Sequence, residues 1–164
     1  MSIILIVFGS MLMAAAIASV FVPRIPGVLM AYAAACVVMA GGGAWFDTAW
    51  LIWWAVAAAI ATALQYILPR PVALSRVGLP FMGIGAIAGG AVGIAMGTVG
   101  ALIIAIVAGI LFGAVAYADT AAGREQLAFP TAKFFNYVAA KGLPMAVTLA
   151  ITGSVVAQLI TLNQ

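Results

Sequence analysis

Histidine is missing from this chain, cysteine occurs once, and 164 residues carry only three acidic side chains. Each shortage removes a class of chemistry. Without imidazole, and with Asp47, Asp119 and Glu125 far apart in sequence, no pair has metal-ligand spacing and no acid–base couple suggests itself. No catalytic residue, no metal and no cofactor is therefore expected. Cys36 lies inside an apolar run; a single thiol forms no disulfide within the chain and reads as a small buried hydrophobe. Ser10, Ser19 and Ser154 lack a neighbouring base and are expected to bond their own helices or a neighbouring one. No Gly-Lys-Ser or Gly-Lys-Thr follows the glycines, so they do not form a phosphate loop. The six basic residues are scattered and not interleaved with aromatics. That argues against nucleic acid as a partner, despite a pI near 9.4.

Charge is the deepest shortage. Charged residues make up 5% of the chain and hydrophobic ones 68%, whereas a soluble domain is about 25% charged. Nine charged side chains cannot make a polar surface for a domain of this size. The class that fits is an integral membrane protein with one domain, and membrane lipid is its first expected partner. Uncharged runs predict an all-α bundle of about six transmembrane helices at 3–22, 26–44, 49–68, 79–96, 100–118 and 143–160. Pro23, Pro26 and Gly27 break the first from the second. Gly41 to Gly43 end the second, and Asp47 or Thr48 is placed to cap the third. Pro69 and Pro71 stop the third. Every proline then falls in a loop or a first helical turn, where it costs least. The opening Met1-Ser2-Ile3 lacks the positive start of a signal peptide, so 3–22 reads as a span.

Glycine is what the chain has in excess, with 18 residues. Gly85, Gly89, Gly93 and Gly97 recur every four residues, and Ala101, Ala105, Gly109 and Gly113 continue the spacing. A helix places residues four apart on one face, and a face without side-chain bulk lets another helix approach closely. Leu79 to Ala118 holds no charge. As one helix of forty residues it would be about 60 Å long, roughly twice the hydrocarbon thickness. It must fold back, with the turn expected at Met96 to Gly100. The result is a glycine-zipper hairpin of spans four and five, with Gly85, Gly89, Gly93, Gly97, Gly109 and Gly113 as helix-packing residues. A full crossing and a re-entrant hairpin share the same parity.

Charge placement tests the count. With six spans, Arg24, Arg70, Arg76, Arg124, Lys133 and Lys141 all fall on one side and Asp47 on the other. Basic residues near membrane ends favour the cytoplasm, so both termini are expected outside it. Trp45, Trp50, Trp53 and Trp54 cluster near the outer boundary, where such rings act as interface anchors. Between 129 and 141, Phe129, Phe134, Phe135 and Val138 alternate with Lys133, Asn136 and Lys141. This pattern predicts a short interfacial helix on the cytoplasmic surface.

Three stretches resemble a known family. Val22-Pro23-Arg24-Ile25-Pro26-Gly27 resembles its break after the first span. Leu51-Ile52-Trp53-Trp54-Ala55-Val56, leading to Leu64-Gln65-Tyr66-Ile67-Leu68-Pro69, resembles its third span. The ladder from Gly83 to Gly113 resembles its most typical region. Together they are similar to the small bacterial membrane proteins of domain of unknown function 456. The resemblance implies a compact polytopic protein of the bacterial inner membrane, with no established activity. Members often carry an acidic residue where this chain has Gln65, and often end the ladder in Gly-Glu where it has Tyr117-Ala118-Asp119.

The function expected first is a non-enzymatic inner-membrane component that packs through the glycine zipper, within itself or into a homo-oligomer or larger complex. It would support assembly or transport. The alternative is a small transporter or channel for a small or amphiphilic molecule, with Thr62, Gln65 and Thr98 as the candidate polar path. Thr148, Thr152 and Gln158 mark the last span and are expected to bond between helices. A third possibility, an enzyme acting on lipid, requires Asp119, Arg124, Glu125 and Lys133 to converge on one pocket.

Overall fold

The computed structural model describes residues 2–22, 26–42, 44–67, 76–127 and 129–161. The expected breaks at Pro23–Ile25 and Pro69–Pro71 lie outside the described residues, as does Gly43. Among the described residues the fold is all-α and contains no strand. Its helices are α1 (Ile3–Ser19), α2 (Gly27–Ala40), α3 (Thr48–Ile67), α4 (Leu79–Ala95), α5 (Val99–Ala118), α6 (Ala121–Gln126) and α7 (Ala132–Thr161). Of these, α3, α5 and α7 are long and apolar enough to cross a membrane, while α1, α2 and α4 are shorter apolar helices of 14 to 17 residues.

Local chemistry sets the helix ends. The Trp50 backbone N–H donates to the Asp47 carboxylate at 2.8 Å and starts α3. Thr98 caps α5 by accepting from the Ala101 N–H at 3.2 Å, and Thr120 caps α6 by accepting from Gly123 at 3.0 Å. The reversal between α4 and α5 passes through Gly97, whose φ of 74° is the left-handed conformation that suits glycine.

Two antiparallel hairpins, α1–α2 and α4–α5, form the most extensive pairings, and α7 touches α1, α2, α3, α4 and α5. The helices alternate in direction, so the bundle has two distinguishable ends. One end gathers Ser2, whose N–H donates to the Gly41 carbonyl, together with Trp45, whose N–H reaches Gln158 Oε1 on α7. The other gathers Val77, whose carbonyl accepts from the Tyr137 hydroxyl at 2.8 Å, and Gly78, which lies against the Tyr117 ring.

The last helix departs from the sequence expectation. The break between an interfacial helix at 129–141 and a span at 143–160 is absent: α7 is continuous over 30 residues with Pro144 inside it. An internal proline costs a helix about 3 kcal/mol by removing a donor and crowding the preceding turn. Packing offsets that cost. Phe134, Val138, Met145 and Leu149 recur at helical spacing, and all are buried in one core cluster with α4 and α5. Phe134 is fully buried, whereas Phe129 and Phe135 are exposed. Of the residues in its long apolar stretch, 61% are buried in α7, against 22% in α5 and 11% in α3. The helix that carries Thr148, Thr152 and Ser154, all buried, therefore occupies the middle, and helices with fewer polar groups surround it.

Candidate functional site

The glycine ladder brings the backbones of α4 and α5 together. A Cβ built on Gly85 would strike the Gly109 carbonyl, and one on Gly109 would strike the Gly85 carbonyl. Gly89 faces the Ala105 carbonyl in the same way, Gly113 faces that of Phe81, and a Cβ on Gly93 would lie 2.5 Å from Leu102 Cα. Gly97 plays a different part from the one expected. It lies in the turn, and a Cβ there would meet nothing within 4 Å. Small residues also seat α7: Gly142 and Gly153 lie against Ile110 and Leu102 of α5.

The candidate polar path separates into distinct environments. Gln65, near the end of α3, lines a cavity of about 50 Å³ with Ser19, Gly27, Leu79, Lys141 and Thr148. Thr62, one turn earlier, buries its hydroxyl with no partner among the described residues. Thr98 belongs to another cavity, of about 230 Å³, with Phe46, Trp50, Ser154 and Gln158. Gln65 and Thr98 therefore lie toward opposite ends of the bundle and line different cavities. Thr98 is also engaged as the cap of α5.

Among the hydroxyls of α7, Thr148 and Thr152 depart from expectation, while Ser154 bonds its own helix as expected. Thr148 donates to the Pro144 carbonyl, Thr152 to the Thr148 carbonyl and Ser154 to the Ala150 carbonyl, each at 2.8 Å. These are bonds back within one helix and do not link helices. Ser10 and Ser19 bond their own helix in the expected manner, to Ile6 and Ala16. Gln158 does reach across, accepting from the Trp45 N–H at 3.3 Å.

Among the tryptophans, Trp45 and Trp53 are exposed, at 77% and 73%. Trp50 and Trp54 turn partly inward onto the core. Trp50 stacks on Phe46 with centroids 3.8 Å apart and buries its indole N–H without a partner among the described residues. Asp119, Arg124, Glu125 and Lys133 are all exposed, with Asp119 and Arg124 paired at 2.8 Å. An ion pair so open contributes little.

The sequence pattern placed Lys141 on the polar side of a short interfacial helix ending at 141. The structure places it within α7, half-buried and lining the Gln65 cavity. Its seven-residue distance from Thr148, two helical turns along one face, was the available signal. Compared with known proteins, the chain matches no family model, no curated protein and no solved structure.

Proposed function

We propose that this chain is a non-enzymatic, six-crossing helix bundle of the bacterial inner membrane. It serves as an assembly, accessory or transport-supporting component, in which the α4–α5 glycine zipper is an internal brace. The observation that carries this reading is the backbone contact at Gly85, Gly89, Gly109 and Gly113. Those glycines face each other's helix, so the ladder is occupied within the chain and a homo-oligomer or larger complex would use other surfaces. The exposed apolar row Ile52, Val56 and Ile60 on α3 is one such surface. The alternation of the helices supports six crossings, because it gathers Arg76, Arg124 and Lys133 toward the end opposite Asp47. With that end cytoplasmic, both termini lie outside. Membership of the domain of unknown function 456 family is part of the same proposal and rests on the motifs quoted above.

The test is the double change Gly89→Leu with Gly93→Leu. Each new side chain drives into the backbone of α5, and overpacking of this kind costs about 1–3 kcal/mol per site. Melting in mild detergent should fall sharply. An unchanged melting temperature and particle size would defeat the brace.

A second reading, a small transporter or channel, is favoured by the cavity that joins Gln65 to Lys141. A Gln65→Leu change would then abolish flux in reconstituted vesicles while leaving the fold intact. Undiminished flux in the variant counts against this reading.

A further inference from the structure

We propose that the cavity of about 230 Å³ at Phe46, Trp50, Thr98 and Gln158 binds a neutral ring compound that carries carbonyl oxygens, of the quinone type. The inference is independent of the glycine brace and of the Gln65 cavity. Phe46 and Trp50 come from the entry to α3, Thr98 from the α4–α5 turn, Leu102 from α5, and Ser154 and Gln158 from α7. Thr98 is exposed, which opens the site at that end of the bundle.

The hydrogen-bonding capacity left in the lining is lopsided. Gln158 Oε1 already accepts from the Trp45 N–H, and Thr98 Oγ1 from the Ala101 N–H. Ser154 turns its proton to the Ala150 carbonyl within its own helix. What remains is mostly donors. A glutamine amide carries two N–H bonds and a threonine hydroxyl one O–H. The Trp50 indole N–H is buried without a partner among the described residues, and an unmet buried donor favours any acceptor that reaches it. Donors in excess select a ligand rich in acceptor oxygens. The lining holds no Lys, Arg, Asp or Glu. An anion there would have no cation to offset its desolvation, so the acceptors belong to a neutral molecule.

Shape adds the ring. Phe46 and Trp50 stack with planes 15° apart and form an aromatic wall, on which another flat ring packs offset or edge-on. Leu102 adds aliphatic surface. An apolar cavity of about 150 Å³ takes one benzene. A volume of about 230 Å³ therefore takes one ring with its carbonyl oxygens and a few methyl groups.

The full chain is purified in mild detergent and titrated with duroquinone, a tetramethylated benzoquinone. In parallel it is titrated with durene, the ring with the same four methyl groups and no carbonyl. Melting temperatures at graded concentrations give the apparent affinities. Duroquinone should raise the melting temperature saturably, and durene should bind about tenfold more weakly, the effect of one to two neutral hydrogen bonds. Gln158→Leu should lower the affinity for duroquinone about fivefold, the effect of one such bond. Trp50→Phe keeps the stack on Phe46 and should lower it by a similar factor; it decides the matter if Gln158→Leu does not fold. Trp53→Phe, at an exposed position of the same helix, should leave the affinity unchanged. No saturable response to duroquinone, equal affinity for durene, unchanged affinity in both the Gln158 and Trp50 variants, or equal losses in the Trp50 and Trp53 variants overturns the proposal.

Discussion

Gly100 and Gly109 lie on the same helix, and the structure gives them opposite mutational signs. At Gly109 a methyl group collides with the main chain of Gly85, whereas at Gly100 it meets nothing within 4 Å. Gly109→Ala should therefore cost about 1–3 kcal/mol through displaced backbone. Gly100→Ala should be neutral or gain up to about 1 kcal/mol through helix propensity. Thermal melts of the two single variants check this directly. The fourfold spacing made the packing face legible, because periodicity alone identifies a face. It could not assign Gly97 to the turn, since that depends on where the hairpin reverses. Trp50 offers a second test at this scale. Its N–H is buried and lacks a partner among the described residues, so Trp50→Phe removes an unsatisfied donor and keeps the stack on Phe46. Stability should stay level or rise by about 1 kcal/mol, read again by thermal unfolding.

The helices expose what local signals miss. Helices α1 to α5 begin and end close to where prolines, glycines and caps placed them. The exception is α7, where Pro144 reads as a boundary in sequence but sits inside a continuous helix. The proline rule is local, while the buried row from Phe134 to Leu149 is fixed by contacts with α4 and α5. A separate surface anchor would use Phe134 and Phe135 alike. A continuous α7 distinguishes them, because Phe134 is fully buried and Phe135 is 53% exposed. Phe134→Ala should cost about 3–5 kcal/mol and Phe135→Ala less than about 0.5 kcal/mol, measured by denaturation in the same detergent.

For the whole molecule, the all-helical class and the α4–α5 hairpin were readable because charge scarcity and run length are global quantities. The Gln65–Lys141 cavity was not. Its walls come from five helices that only the assembled bundle brings together, and a lysine assigned to a separate surface helix is cut off from Thr148 two turns further along. Six crossings predict that reporters after Tyr117 and at the carboxyl end report opposite compartments; the same compartment for both would remove one crossing from the bundle. The central place of α7 has a bearing on biogenesis. It is the last of the described helices to leave the ribosome, yet it is the one the other long helices lean on. The two hairpins meet each other mainly around Phe21 and Gly83, and most of what joins them is missing until the thirty residues of α7 arrive. A ribosome halted before Ala132 would thus release a keel-less intermediate with its apolar faces uncovered, the form that proteases are best placed to clear.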